Sequence, residues 1–90
     1  MASQFNLGRL VATPGALATL ERLQRSGAVL ISRHARGDWG DLDAHDKAAN
    51  ERALRDGSRL FSAYVVDGVK FYVITEADRS STCLLLPEEY

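Results

Sequence analysis

The dipeptide Asp67-Gly68 constrains this chain more than any other pair of residues, because it separates two runs rich in β-branched and aromatic side chains, "LFSAYVV" and "VKFYVIT". A two-residue type I′ hairpin needs positive φ at both central positions, and Asp-Gly adopts that conformation readily. The pair therefore predicts a hairpin and fixes its register, with Val66 opposite Val69. Side chains alternate across a strand, so one face collects Leu60, Tyr64, Val66, Val69, Phe71 and Val73, while the other carries Phe61, Ala63, Val65, Lys70, Tyr72 and Ile74. The first face is expected to form the core. Downstream, "EADRSS" reads as a turn into a third strand over Thr82 to Leu86, which Pro87 ends, giving a three-stranded antiparallel meander.

Upstream the hydrophobic period changes. In "ATPGALATLERLQRSG" a threonine precedes proline, so a helix is expected to start at a Thr13 cap with Pro14 in its first turn. Ala16, Leu17, Leu20, Leu23 and Gln24 form its core stripe, Glu21, Arg22 and Arg25 face water, and Gly27 supplies the stop. The apolar run of "AVLISRHARG" is too short for its period alone to separate strand from helix, but Leu30 with His34 on one helical face and a left-handed cap at Gly37 favour a short helix over 28–36. After a "DWGDL" turn, a third helix runs from an Asp43 cap to a stop at Gly57, with acids in its first turn where they complement the helix dipole. "LGRLVA" alternates weakly and offers a short extra strand near the N-terminus. The expected fold is α+β: two to three N-terminal helices packed on a C-terminal three-stranded antiparallel β-meander, with residues 1–90 forming a single domain.

Charge and composition narrow the functional classes. The net charge is −1, but residues 1–36 hold Arg9, Arg22, Arg25, Arg33 and Arg36 against Glu21 alone, so the excess acid lies in the rest of the chain. Such asymmetry suits two solvated faces of opposite sign or an oriented partner contact. The single cysteine, Cys83, has no internal disulfide partner and sits in an apolar "TCLLL" run, which predicts a buried thiol. No run of apolar residues is long enough to span a bilayer, and the N-terminal stretch lacks the apolar segment of a secretion signal; a cytoplasmic protein with no membrane contact is expected.

The stretch "RHARGDWGDLDAHDKAAN" concentrates the polar chemistry of the chain. His34, Asp38, Asp41, Asp43, His45 and Asp46 are all competent metal ligands, yet no start position gives glycine at the sixth and glutamate at the twelfth place of a calcium loop, and zinc-type cysteine or histidine pairs are missing. Neither a metal nor another cofactor is expected. A small enzyme centred on His34 and Asp46, with Arg79 steadying an oxyanion, rests on residue types alone, since no nucleophile motif accompanies them. A structural joint is the more economical reading. Leu42, Asp46, Ala49, Asn50 and Ala53 fall along one stripe of the third helix, so a buried Asp46 and Asn50 would need donors, which His34, Trp39 and the turn amides supply.

The segments "LVATPGAL", "RHARGDWGDLDAHDKAANERAL", "FSAY" and "VITEADRSSTCLLLPEEY" together resemble a family of small, functionally uncharacterised proteins of this length carried on bacterial plasmids, integrative elements and their chromosomal remnants. The resemblance covers nearly the whole chain and implies a setting of mobile DNA. It suits a regulator, an accessory factor or an inhibitor that acts by binding, in the manner of small anti-CRISPR and anti-restriction proteins. The expected function is thus a non-enzymatic module that binds a protein partner, with Arg33, Arg36, Asp38, Trp39, Asp41 and Asp43 as candidate contact residues. Nucleic-acid binding through Arg22, Arg25, Arg33 and Arg36 is the alternative.

Overall fold

A computed structural model describes residues 3–90. In chain order its elements are β1 (Arg9–Ala12), α1 (Pro14–Leu23), α2 (Gly27–Ala35), α3 (Ala44–Asp56), β2 (Leu60–Val66), β3 (Val69–Thr75), β4 (Ser81–Leu85) and a closing 3₁₀ turn (Pro87–Glu89). The fold is α+β, as the sequence predicts.

The hairpin is the one that Asp67-Gly68 dictates. Both residues take positive φ, 50° and 80°, and Val66 pairs with Val69. Leu60, Tyr64, Phe71 and Val73 are buried on the expected face, joined by Ala16 and Leu20 of α1, Leu30 of α2, and Leu84 and Leu86. A smaller cluster of Trp39, Ala53 and Leu60, flanked by Phe5, Leu42 and Leu54, lies under the 38–42 turn.

The sheet itself corrects the expected meander. β4 pairs antiparallel with β3, but β1 adds to its other side in parallel, giving a mixed four-stranded sheet in the order β1-β4-β3-β2. A parallel pair needs a long connection. Here the whole of α1, α2, α3, β2 and β3 lies between the two strands in sequence.

The helix boundaries follow local chemistry, with one correction. Thr13 caps α1 through its hydroxyl, which accepts from the Ala16 N–H at 3.2 Å, and Asp43 caps α3 by accepting from the Asp46 N–H at 2.8 Å. α1 ends not at Gly27 but at Gln24, which adopts φ 57° and closes the last turn; Ser26 then caps α2, whose first residue is Gly27. Gly37 ends α2 with its N–H on the His34 carbonyl, as expected of a left-handed cap. Leu17 is also corrected: the buried stripe of α1 is Ala16, Thr19 and Leu20, and Leu17 is 55% exposed.

The two sheet edges differ. In β2 the peptide groups of Phe61, Ala63 and Val65 face outward, and those of Phe61 and Ala63 are occupied. The Asn50 carboxamide accepts from the Phe61 N–H at 3.0 Å and donates to its carbonyl at 2.6 Å, which substitutes for a neighbouring strand. The Trp39 carbonyl accepts from the Ala63 N–H, and the Asp41 N–H donates to the Ala63 carbonyl. In β1 the Arg9 N–H donates to Ser80 and the Thr13 N–H to Leu84, so odd positions face β4 and the N–H and C=O groups of Leu10 and Ala12 face outward. Among the described residues nothing bonds to those outer groups.

Candidate functional site

The polar stretch from Arg33 to Asn50 forms a joint, built differently from the one expected. His34 is fully buried, and its partners lie on the sheet: Nδ1 is 2.6 Å from Ser62 Oγ and Nε2 is 2.9 Å from Thr75 Oγ1. Thr75 continues to Thr82 at 2.7 Å, and the Thr82 hydroxyl donates to the Leu7 carbonyl at 2.7 Å. Each hydroxyl carries one proton. Thr82 spends its proton on Leu7, so Thr75 donates to Thr82, and Thr75 must then accept from the imidazole at Nε2–H. The neutral ring carries no second N–H, so Nδ1 accepts from Ser62. The chain of donors has one consistent direction, and it ties α2 to β2, β3, β4 and the segment before β1.

Burial pushes the His34 imidazole down to about 4, and the positive charge of Arg79 adds to the effect. Phe5 and Trp39 meet the ring edge-on, with centroids 5.3 and 5.7 Å away. The ring is fully buried, and among the described residues hydroxyls rather than a carboxylate orient it.

Asp46 is the clearest correction. It was expected as the buried acceptor for Trp39; its side chain is instead 59% exposed, and the indole N–H donates to Glu51 at 2.8 Å. Asn50, one turn further along, is the buried member, and it holds the β2 edge. Asn50→Ala is therefore expected to cost about 1–3 kcal/mol by stranding both Phe61 peptide groups, whereas Asp46→Ala changes stability by less than about 0.5 kcal/mol. Urea unfolding of the two variants beside the wild type checks this, and equal losses would refute it.

The remaining candidates are scattered. Arg33 forms a bidentate pair with Asp38 at 2.7 and 3.4 Å, and its guanidinium lies 4.5 Å over the Tyr64 ring. The Arg33 pair holds the Asp38 carboxyl below the usual carboxylate range. The Tyr64 hydroxyl in turn donates to the Asp38 carbonyl at 2.6 Å. Arg36 is exposed and donates to the Ser32 hydroxyl; Asp41 and Asp43 are exposed; Trp39 is buried. Arg79, assigned to an oxyanion, gives its guanidinium protons to the carbonyls of Ala53, Ser58, Glu76 and Ala77, closing the end of α3 onto the turn before β4. Asp43, His45 and Asp46 bring ligand atoms within 4.8 Å of one another, but all three are exposed and Asp43 is already spent as a helix cap. Of the four arginines considered for nucleic acid, Arg25 is paired with Asp67 and Arg33 with Asp38. Cys83 is partly buried, and burial pushes its thiol up.

Sequence reasoning missed a surface feature. A groove of about 490 Å³ runs between β1, α1 and α2, lined by Leu7, Leu10, Ala12, Leu17, Ala28 and Ile31 among others. Leu10 is 57% exposed at its edge, Leu17 55%, and Val29 on the adjoining face of α2 59%. The readable signal was Val29, which falls off the Leu30–His34 stripe of its helix.

Fold and surface together define the class: a small α+β domain whose polar joint is closed and which exposes apolar side chains beside the open β1 edge. Comparison with family models, curated proteins and solved structures finds no match for the chain.

Proposed function

We propose that this chain is a non-enzymatic protein-binding module that docks its partner on the apolar groove and the adjoining outer face of α2. One observation carries the reading: Leu10 and Leu17, each more than half exposed, line a concave apolar surface, and Val29, equally exposed, stands beside it on α2. Contiguous exposed apolar surface of this kind marks interaction sites. The chemistry elsewhere supports it. The one histidine with a strongly perturbed pKa is sealed in the core, and two of the four candidate phosphate-binding arginines are neutralised by aspartates.

The resemblance to small proteins of plasmids and integrative elements supports mobile DNA as the setting and a component of a host defence system as the target. A photoreactive residue at Val29, in cells of the native host, tests the reading, with Lys70 on the far hairpin as control. Protein adducts are expected from position 29 and none from position 70. Nucleic-acid adducts, or the same adducts from both positions, would refute it.

A further inference from the structure

We infer that the outer edge of β1 is the pairing edge of a symmetric homodimer, in which the β1 strands of two copies run antiparallel about a twofold axis through Val11. The inference rests on the protein-binding reading above and names the occupant of one part of that surface.

The geometry starts from the unequal edges. Asn50, Trp39 and Asp41 close the β2 edge at Phe61 and Ala63, leaving open only its hairpin end at Val65, while the Leu10 and Ala12 peptide groups in the middle of the β1 edge are free among the described residues. An exposed strand edge is a template for another strand, and no proline or lysine within Arg9–Ala12 blunts this one. Antiparallel pairing about Val11 sets Leu10 opposite the second copy's Ala12, and Ala12 opposite its Leu10. Both are positions with outward peptide groups, so each pair exchanges its N–H···O=C bonds in both directions. The interface is isologous, as a twofold dimer requires.

The side chains agree with that register on both faces of the strand. On the helix-bearing face, the exposed Leu10 of one copy lies over the small Ala12 of the other, next to the groove that Leu17 borders, so a large side chain meets a small one at each pair. On the opposite face, Arg9 lies opposite Thr13 of the second copy. Thr13 is where Glu89 is held, since its hydroxyl donates to the Glu89 carboxylate at 2.5 Å and the Leu86 N–H donates to the same oxygen at 2.8 Å. Arg9 forms no ion pair among the described residues, and the second copy offers it a fixed carboxylate at the facing position. A foreign strand would have to reproduce both matches. A second copy supplies them by symmetry.

Val11 alone faces its own counterpart. Non-hydrogen-bonded antiparallel partners have Cα atoms about 4.5 Å apart, within the reach of a disulfide at about 4.4–6.8 Å. The test is Val11→Cys made in a Cys83→Ser background, because Cys83 is the neighbour of Val11 across the β1–β4 pair and would otherwise compete for it. Analytical ultracentrifugation of the full chain is expected to show a dimer. Mild oxidation should link the Val11→Cys variant almost completely, and a Leu10→Cys variant at least tenfold more slowly. Val11→Lys, which sets two like charges across the axis at a site already 39% exposed, should give a folded monomer by circular dichroism. Arg9→Glu should weaken the dimer about tenfold. A chain that is monomeric at high-micromolar concentration, or a dimer in which Val11→Cys fails to link, would overturn the inference. Adducts from Val29 to a different protein in a monomeric chain would overturn it while leaving the protein-binding reading standing.

Discussion

Gly40→Ala is expected to unfold the domain or to cost at least about 4 kcal/mol, an exceptional loss for one methyl group. Gly40 sits at φ +77°, in a turn that lies directly against the outer edge of β2 and forms a parallel bridge with Ala63. A Cβ there would collide with the Ala63 carbonyl on one side and with the Tyr64 ring, at 2.6 and 2.8 Å, on the other. Neither neighbour can yield. The Ala63 carbonyl is held by the Asp41 N–H at 2.6 Å, and Tyr64 is a buried core residue whose hydroxyl is tied to Asp38. The methyl group would have to push the turn off the sheet, which breaks the Trp39–Ala63 and Asp41–Ala63 bonds and opens the Trp39 cluster to water. Gly57 provides the internal comparison. Its φ is +79°, yet an added Cβ meets nothing within 4 Å, so Gly57→Ala carries only the left-handed backbone cost of about 1–2 kcal/mol. Thermal and urea unfolding of the two variants separate conformational strain from collision, and equal losses would contradict this account of the turn.

How far the sequence reveals this architecture depends on how local each determinant is. The hairpin was legible because Asp67-Gly68 sets turn type and register within four residues, and every strand partner follows by counting. Thr13, Asp43, Gly37 and Gly57 marked helix ends because a cap acts within one turn. Two things were hidden. The parallel pairing of β1 with β4 links Arg9 to Ser81, and nothing in a four-residue strand encodes so distant a partner. The Asp46 error had a different origin: positions one turn apart share a helix stripe, and the pattern cannot show where the helix leaves the sheet. Only the later part of α3 touches β2, so Asn50 and Ala53 are covered while Asp46 stands in solvent. The partners of His34 were in fact readable. Once Val66 faces Val69, Ser62 and Thr75 fall on the same face as Leu60, Tyr64 and Val73, and hydroxyls on a core face require a polar partner from the helix above.

That buried histidine makes stability fall with acid well before the carboxylates titrate. The folded His34 has its pKa lowered to about 4, whereas an unfolded histidine titrates near 6.5. The folded state thus favours the neutral ring, and its contribution is fully present above about pH 6.5. As the pH drops through that value the unfolded chain binds a proton that the folded chain refuses, so stability declines until the folded pKa is reached near 4. At about 1.4 kcal/mol per pH unit, the domain is expected to lose roughly 2 kcal/mol between pH 7 and pH 5 from this group alone. The donor chain explains why relaxation does not rescue it. A proton on Nδ1 would face Ser62, which donates to that nitrogen in the neutral state, so charging the ring forfeits that bond, while the Nε2–H bond to Thr75 is the same in both states and gives nothing back. Asp38, Asp67 and Glu89, whose pKa values are lowered by Arg33, by Arg25 and by Thr13 respectively, lose their contributions only at lower pH, outside the window from 7 to 5 in which His34 acts. His34→Leu should be less stable at pH 7 and nearly flat across that window. Nitrogen-15 spectra of the wild-type imidazole should show the Nε2–H form of His34 persisting at pH 5. A wild type whose unfolding free energy is unchanged from pH 7 to 5, or a His34→Leu variant that loses as much, would rule the mechanism out.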